Sequence, residues 1–383
     1  MIFLHTADVH LVPLSEPDGK RRLAVLAELC GLAAQRDGLV ISGDLFHSQA
    51  AASDQGLLSG LKDALSKAGP KPVLIIPGNH DRPGGVGPHP LDGRHDLGAH
   101  VRLLSKEPYE ETSIVGVRFF GIPFQTERSG GELLRALPPE ARGAVVLLHG
   151  TAADRKTLTM YGYDPEDPEE SGDSIFLDAD LSDAGAAYYA FGHIHRHESW
   201  SLKSGSAAYP GSPDAVTVKE EEPRQVLEVE LRPGKAPIIN KLALQRSARS
   251  LRKTVLAIPG AEGEALKDAR EFIAGQRSDV RPVVYIRGLG SGRLLEEGRK
   301  DLEAGFKDRD PRPIVKLRAD VLGDEELSSP GLLQDFGKAM AEAAKATGAD
   351  PELTARAALI GWLALRDDEK SLDKLLESIG TGS

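Results

Sequence analysis

Apolar positions along the first half of the chain alternate between two rhythms. Short unbroken runs of strand length occupy Ile2–His5, Leu39–Ser42 and Val73–Ile76. Between them lie stretches with helical spacing. Leu23, Leu26, Leu29 and Ala33 share one face over 21–35, and Leu57, Leu58, Leu61 and Leu65 share one over 54–68. This β-α-β-α-β order predicts a layered α/β core. Further strands are expected at Val101–Leu104, Val117–Ile122 and Ala144–Leu148, with Ala187–Phe191 and Val226–Leu231 as the last of that core. The stretch 235–250 reads as the way out of the domain. A compact β-α-β-like unit is expected next, with strands over 251–258, 280–287 and 314–318 and helices over 262–274 and 293–306. Leu333, Phe336 and Met340 make one helical stripe near the end, and Leu353, Ala357, Ile360 and Leu363 another. The predicted division is 1–245, 246–325 and a helical segment 326–383.

Composition narrows the picture only a little. With 383 residues there is room for two or three sizeable cores. No run approaches the roughly 20 apolar residues that cross a bilayer. No targeting signal is read at the start, and the single cysteine, Cys30, falls in a helical pattern and has no intrachain partner. Both point to a reducing cytoplasm. The net charge of −11 argues against a nucleic-acid ligand, but it is unevenly spread. Residues 241–320 carry 18 Lys and Arg against 12 Asp and Glu, so this segment is basic beside an acidic remainder. Arg246, Arg249, Arg252 and Lys253 fit either a nucleic-acid backbone contact or an ordinary basic linker. The Pro-broken acidic run 164–170 is expected to be a solvated loop. A Gly-rich turn, 288–293, departs from the dinucleotide and Walker patterns, so no nucleotide is expected there.

Chemistry concentrates in five fragments, four of which follow a predicted strand: Asp8-Val9-His10, Gly43-Asp44, Gly78-Asn79-His80-Asp81, His149-Gly150 and Gly192-His193-Ile194-His195. Alternation along an extended chain sends residues i and i+2 the same way, so Asp8 with His10, and His193 with His195, are expected to reach shared sites. Asp44 ends a buried strand in a tight turn, and its two oxygens suit it to bridge two cations. The set mixes imidazole, carboxylate and one amide oxygen, without thiolate. That favours Mn²⁺, Fe²⁺ or Zn²⁺ over an all-oxygen Ca²⁺ or Mg²⁺ site. Two such ions about 3.5–4 Å apart clamp a phosphate and generate a nucleophile.

These fragments resemble the calcineurin-like metallophosphoesterase superfamily. The finer match, Ser42-Gly43-Asp44-Leu45-Phe46-His47, with 189–196 and Tyr209-Pro210-Gly211-Ser212-Pro213, resembles the SbcD-type DNA double-strand-break repair nucleases over about residues 1–240. The resemblance implies a four-layer β-sandwich flanked by helices, a small α/β capping domain and a helical tail. It also implies a metal-dependent DNA exonuclease/endonuclease, a hydrolase of repair and recombination that works by hydroxide attack activated by two metals, most simply manganese. Asp8, His10 and His195 would hold one ion together with Asp44; Asn79, His149 and His193 would hold the other, again with Asp44. His80 would stabilise the transition state and assist the leaving oxygen, and His47 would help position the DNA strand. Family members usually act as homodimers with SbcC, a coiled-coil ATPase, which the tail could dock. A stand-alone phosphodiesterase or phosphatase on a small phosphoester is the alternative, and a non-catalytic scaffold a second.

Overall fold

The computed structural model describes residues 1–82, 89–93, 97–152, 174–257, 262–318 and 320–322, with scattered helical residues between 339 and 361. The acidic run 164–170 and most of the expected helical tail lie outside the described residues. The chain divides into two compact units, Met1–Arg249 and Ser250–Ser383.

In chain order the first unit begins β1 (Ile2–Thr6), α1 (Gly19–Ala33), β2 (Leu39–Ser42), α2 (Gln49–Ser53), α3 (Gln55–Ser66), β3 (Val73–Ile76) and β4 (Val101–Leu103). It continues β5 (Glu110–Ile114), β6 (Val117–Gly121), α4 (Gly130–Arg135), β7 (Val145–His149), β8 (Thr151–Ala152), β9 (Ile175–Phe176) and α5 (Asp178–Ala184). It closes with β10 (Tyr188–Gly192), β11 (Glu198–Leu202), β12 (Gly205–Tyr209), β13 (Gln225–Glu230) and β14 (Ile238–Ala243). Two six-stranded sheets result, ordered β14-β13-β1-β2-β3-β4 and β11-β12-β10-β7-β6-β5. β1 through β4 run parallel in the first, and β6, β7, β10 and β12 in the second. Antiparallel strands finish the other edges.

The strands read from sequence in this unit are present, with ends shifted by at most one residue. β5, β8, β9, β11, β12 and β14 have no counterpart in the sequence reading. β14 corrects the reading of 235–250 as an exit: Ile238–Ala243 pairs with β13 over six residues. β5, β11 and β14 are edge strands, rich in polar and exposed residues, so neither an apolar run nor clean alternation marks them.

Four layers follow from which faces are apolar. Phe3, Val40, Leu74, Ile76, Phe119, Val145, Leu147, Tyr188 and Leu227 fill the space between the sheets. Outside the first sheet, α1 and α3 bury Val25, Leu26, Leu29, Leu57, Leu61 and Leu65. Each such leucine contributes about 1.5–3 kcal/mol relative to exposure. The Asp54 carboxylate caps α3 by accepting from Leu57 N at 2.6 Å. Outside the second sheet, α4 and α5 supply Leu133, Leu134 and Leu181. Cys30 is buried in the α1 face and its thiol is pushed up to about 12 by burial, so it is a core residue and not a nucleophile.

His5 is a polar exception inside the sandwich. Its Nε2 lies 3.1 Å from the carbonyl of Phe191, which can only accept, so Nε2 carries the proton and Nδ1 accepts from the Tyr188 hydroxyl at 2.8 Å. Burial holds the ring down to about 3, so it stays neutral in the fold while the unfolded chain titrates near 6.5. Between those values the unfolded state binds more protons, so stability is fully present above pH 6.5 and falls with pH below it. At pH 5 this residue is expected to cost about 2 kcal/mol relative to pH 7. Urea midpoints at the two pH values should show a correspondingly smaller acid loss in His5→Gln; equal losses would contradict the assignment.

The second unit contains β15 (Arg249–Ala257), α6 (Glu262–Ala274), β16 (Val280–Ser291), α7 (Gly292–Gly305), β17 (Ile314–Leu317) and β18 (Asp320–Leu322). β16 is central, between β15 and β17, and pairs with β18 further along. Val255, Ala257, Val284, Ile286 and Val315 pack on Ala265, Ala269, Ile273, Leu295 and Leu302 of the helices. The Gly-rich turn belongs to β16 and the start of α7. There the carboxylate of Glu262 already accepts from Ser291 N at 3.0 Å, and the Ser291 hydroxyl caps the helix. Lys253 is paired with Asp268, and Arg249 donates to the carbonyl of Glu221.

Candidate metal centre

Parallel strands carry their carboxyl ends to one rim. β1, β2 and β3 bring Asp8, His10, Asp44, Asn79 and His80 there from one sheet; β7 and β10 bring His149, His193 and His195 from the other. The sandwich thus assembles fragments up to 187 residues apart in sequence.

The backbone at this rim is unusual. Asp8, His10 and Asp44 have φ of 56°, 47° and 53°, and His193 has 101°. Asp and His tolerate the left-handed region better than most residues, but each still costs of order 1 kcal/mol. This corrects the expectation of strand alternation: Asp8 and His10 reach one cluster through left-handed turns, not along an extended strand. The same holds for His193, whose ring lies against that of His149, while His195 reaches across to His10. Gly43 and Gly78 are required by close approach. A Cβ on Gly43 would overlap the His149 ring, and one on Gly78 would overlap the backbone and carboxylate of Asp44.

Asp44 lies at the middle. Its Oδ2 is 3.6 Å from His10 Nε2 and 3.5 Å from His149 Nε2, and its Oδ1 accepts from His80 N at 3.0 Å. On one side the ligand atoms of Asp8, His10 and His195 lie within 4.8 Å of one another, with the two Nε2 atoms 3.0 Å apart. On the other, Asn79 Oδ1 is 2.8 Å from His149 Nε2, and Asp8, Asp44 and His149 form a second such group. Asp8 also accepts from His193 N at 2.9 Å.

The donor set fits cations on chemical grounds. His149 Nδ1 lies 2.8 Å from the Ser42 carbonyl and must donate to it, so its Nε2 lone pair points inward, toward an amide oxygen and a carboxylate oxygen. His195 Nδ1 meets the Glu220 carboxylate at 3.1 Å, so its Nε2 lone pair also points inward. Acceptors converging on acceptors require positive charge between them. The titration behaviour agrees in direction. Burial opposes charge on His149, but Asp44, Asp8 and the Ser42 carbonyl outweigh it and push the ring up to about 10. His195 is raised against burial by Glu220, Asp8 and Asp44. Asp44 is held below the carboxylate range despite burial, by His149, His10 and His80. Burial lowers His10 and raises Asp8.

His80 and His47 flank this group. Their rings stack at 5.4 Å, and His80 Nδ1 donates to the carbonyl of His47 at 3.0 Å. His47 is exposed, with Nδ1 3.4 Å from His10 Nδ1. All nine residues singled out from sequence are therefore gathered at one rim. Two acids were not assigned from sequence. Asp81 is buried and accepts from Leu45 N, Phe46 N and Gly78 N at 2.9–3.1 Å, tying the β2 turn to the β3 turn. Its place in the fragment Asn79-His80-Asp81 was the available signal. Glu220 had none, since it stands in the run Lys219-Glu220-Glu221-Glu222 that resembles any solvated loop.

This sandwich, with its acids and imidazoles gathered at one rim, has the fold of the calcineurin-like phosphoesterases. The model of that family matches residues 1–197, and the chain belongs to it. Among its relatives is the D component of nuclease SbcCD from Bacillus subtilis (strain 168), 31% identical over 280 aligned positions that cover 61% of this chain and 67% of that protein. DNA double-strand break repair protein Mre11 of Saccharolobus solfataricus is 29% identical over 244 aligned positions that cover 57% of this chain and 56% of that protein. The chain thus spans little more than half the length of that archaeal relative. Mre11 of Aeropyrum pernix is 25% identical over 413 aligned positions, covering 99% of this chain and 96% of that protein. Among the described residues no helix is long and apolar enough to cross a membrane.

Proposed function

We propose that this chain is a DNA phosphodiesterase of the SbcD type, an exonuclease/endonuclease dependent on two divalent cations. The observation that carries the proposal is the convergence of His10 Nε2 and His149 Nε2 on one oxygen of Asp44, with His195 Nε2 and Asn79 Oδ1 each within 3.0 Å of one of those two nitrogens. In this reading Asp8, His10, His195 and Asp44 hold one ion; Asn79, His149, His193 and Asp44 hold the other. Manganese is the expected metal, from the mixed nitrogen and oxygen donors. Bound there, the cations supply Lewis-acid charge against the phosphate and a water of lowered pKa.

The chain's own groups do the rest. The carboxylates of Asp8 and Asp44 offset cationic charge. His80, anchored through Nδ1–H, leaves Nε2 to approach the phosphate, where an Nε2–H stabilises the developing negative charge and protonates the leaving oxygen. His47, exposed beside it, positions the strand. Residues 1–245 form the nuclease domain, 246–325 a capping domain with the basic excess, and 326–383 a helical segment for a coiled-coil ATPase partner, the whole acting as a cytoplasmic homodimer.

The test is cleavage of end-labelled duplex DNA with Mn²⁺ or with chelator. Wild type is expected to cut only with metal. His80→Ala should lose roughly 10²–10⁴-fold in rate, as for loss of a general acid, while retaining its metals. Loss of both metals in that variant would contradict the role given to His80. The net charge of −11 favours a second reading, a phosphodiesterase on a small phosphoester. Turnover of a chromogenic diester without any cleavage of DNA would select it.

A further inference from the structure

The motif Tyr209-Pro210-Gly211-Ser212-Pro213 and the acidic stretch after it supply none of the residues assigned above to hold a cation. They lie beyond residue 197, outside the family match. We propose that the segment 211–224 is the positioning element of one cation site, with Glu220 as its central residue; the inference rests on the two-cation reading of the centre.

Glu220 is buried, at 8% exposure, and both of its carboxylate oxygens accept hydrogen bonds. Oε1 accepts from His195 Nδ1 at 3.1 Å and from Thr217 N at 2.7 Å. Oε2 accepts from the Ser212 hydroxyl, from Val216 N at 3.2 Å and from the Arg224 guanidinium at 3.1 Å. The carboxylate is thus held from four directions and has one outward task, the imidazole of His195. A carboxylate can only accept, so it fixes the proton on Nδ1 and turns the Nε2 lone pair toward His10 Nε2. The same cluster holds the main chain: Arg224 also donates to the carbonyl of His195 at 3.1 Å.

The segment reaches His10 as well. Asp214 is buried and accepts from Arg21 Nε and Nη2 at 3.1 and 2.9 Å and from Ala248 N at 2.7 Å, with Arg22 Nε at 3.8 Å. Arg22 in turn donates to the carbonyl of His10 at 2.5 Å. One stretch of chain therefore positions the two imidazoles that face each other. His149 is oriented differently, by the Ser42 carbonyl. Loss of the Glu220 carboxylate should therefore act on one cation site and spare the other.

The experiment is calorimetric and EPR titration of the full chain with Mn²⁺. Wild type is expected to bind two ions. Glu220→Gln should weaken one site by about 10–100-fold, the usual effect of losing an outer carboxylate, and leave the other within a factor of about three. Two unchanged affinities, or equal weakening of both, would overturn the inference. So would a lower urea midpoint with both affinities intact, the mark of a merely structural carboxylate. A wild type that binds no Mn²⁺ overturns the two-cation reading itself, a distinct result. Should the variant fail to fold, the wild type still decides. In Zn²⁺-loaded, ¹⁵N-histidine-labelled protein the His195 ring, assigned against His195→Gln, should be the Nδ1–H tautomer; an Nε2–H tautomer rejects the proposal.

Discussion

Asp44→Asn is expected to lower kcat/KM for metal-dependent cleavage by about 10³-fold or more and to reduce bound metal below two ions per chain. The magnitude is at least that of removing one preorganised electrostatic group, and in the proposed two-cation site both ions would lose their shared charge. The geometry explains why the isosteric amide does not substitute. Oδ2 stands about equally far from His10 Nε2 and His149 Nε2, while Oδ1 is engaged by the N–H of His80. An Asn side chain has one acceptor oxygen. If that oxygen keeps the His80 contact, an NH₂ group faces both sites and repels cations. If it faces the cations, the NH₂ group opposes the His80 N–H. Metal analysis of the purified variant together with its rate on duplex DNA measures both effects. Two retained ions with a rate within tenfold of wild type would refute the bridging role.

Asp81→Ala is expected to destabilise the first unit by about 3–5 kcal/mol, the largest single loss anticipated away from the ligands. The carboxylate is 1% exposed and accepts from three backbone N–H groups, those of Leu45, Phe46 and Gly78. Removing it orphans all three at about 1–3 kcal/mol apiece, less what water recovers in the space left behind. Asp81→Asn retains one acceptor oxygen and should fall between. Urea melts in chelator separate this effect from metal linkage. A loss under about 1 kcal/mol would show that the two turns hold their shape unaided. The same variant should bind metal poorly even where it folds, because Asp81 holds the turn carrying Asp44 against the turn carrying Asn79.

Much of this protein is determined by local sequence. Leu39–Ser42 and Val73–Ile76 are strands because four consecutive apolar or small residues have no amphipathic helix to join and are buried on both faces. The helices α1 and α3 follow from the spacing of their leucines, and the Asp44, Asn79-His80, His149 and His193/His195 fragments stand out because acids and imidazoles end those strands. Tertiary structure alone decided the rest. Edge strands β5, β11 and β14 exist because a neighbour offers hydrogen bonds, and no apolar pattern of their own announces them. Glu220 and Glu221 are adjacent and chemically alike, yet only the first is buried against His195, since burial depends on how the chain after β12 folds back over the rim. The left-handed turns at Asp8, His10 and Asp44 also escape a local reading: their strain is tolerated because β1 and β2 bond side by side, Asp8 N to Gly43 O and His10 N to Asp44 O. Residue type and order set what chemistry this chain carries; long-range packing set which atoms face one another.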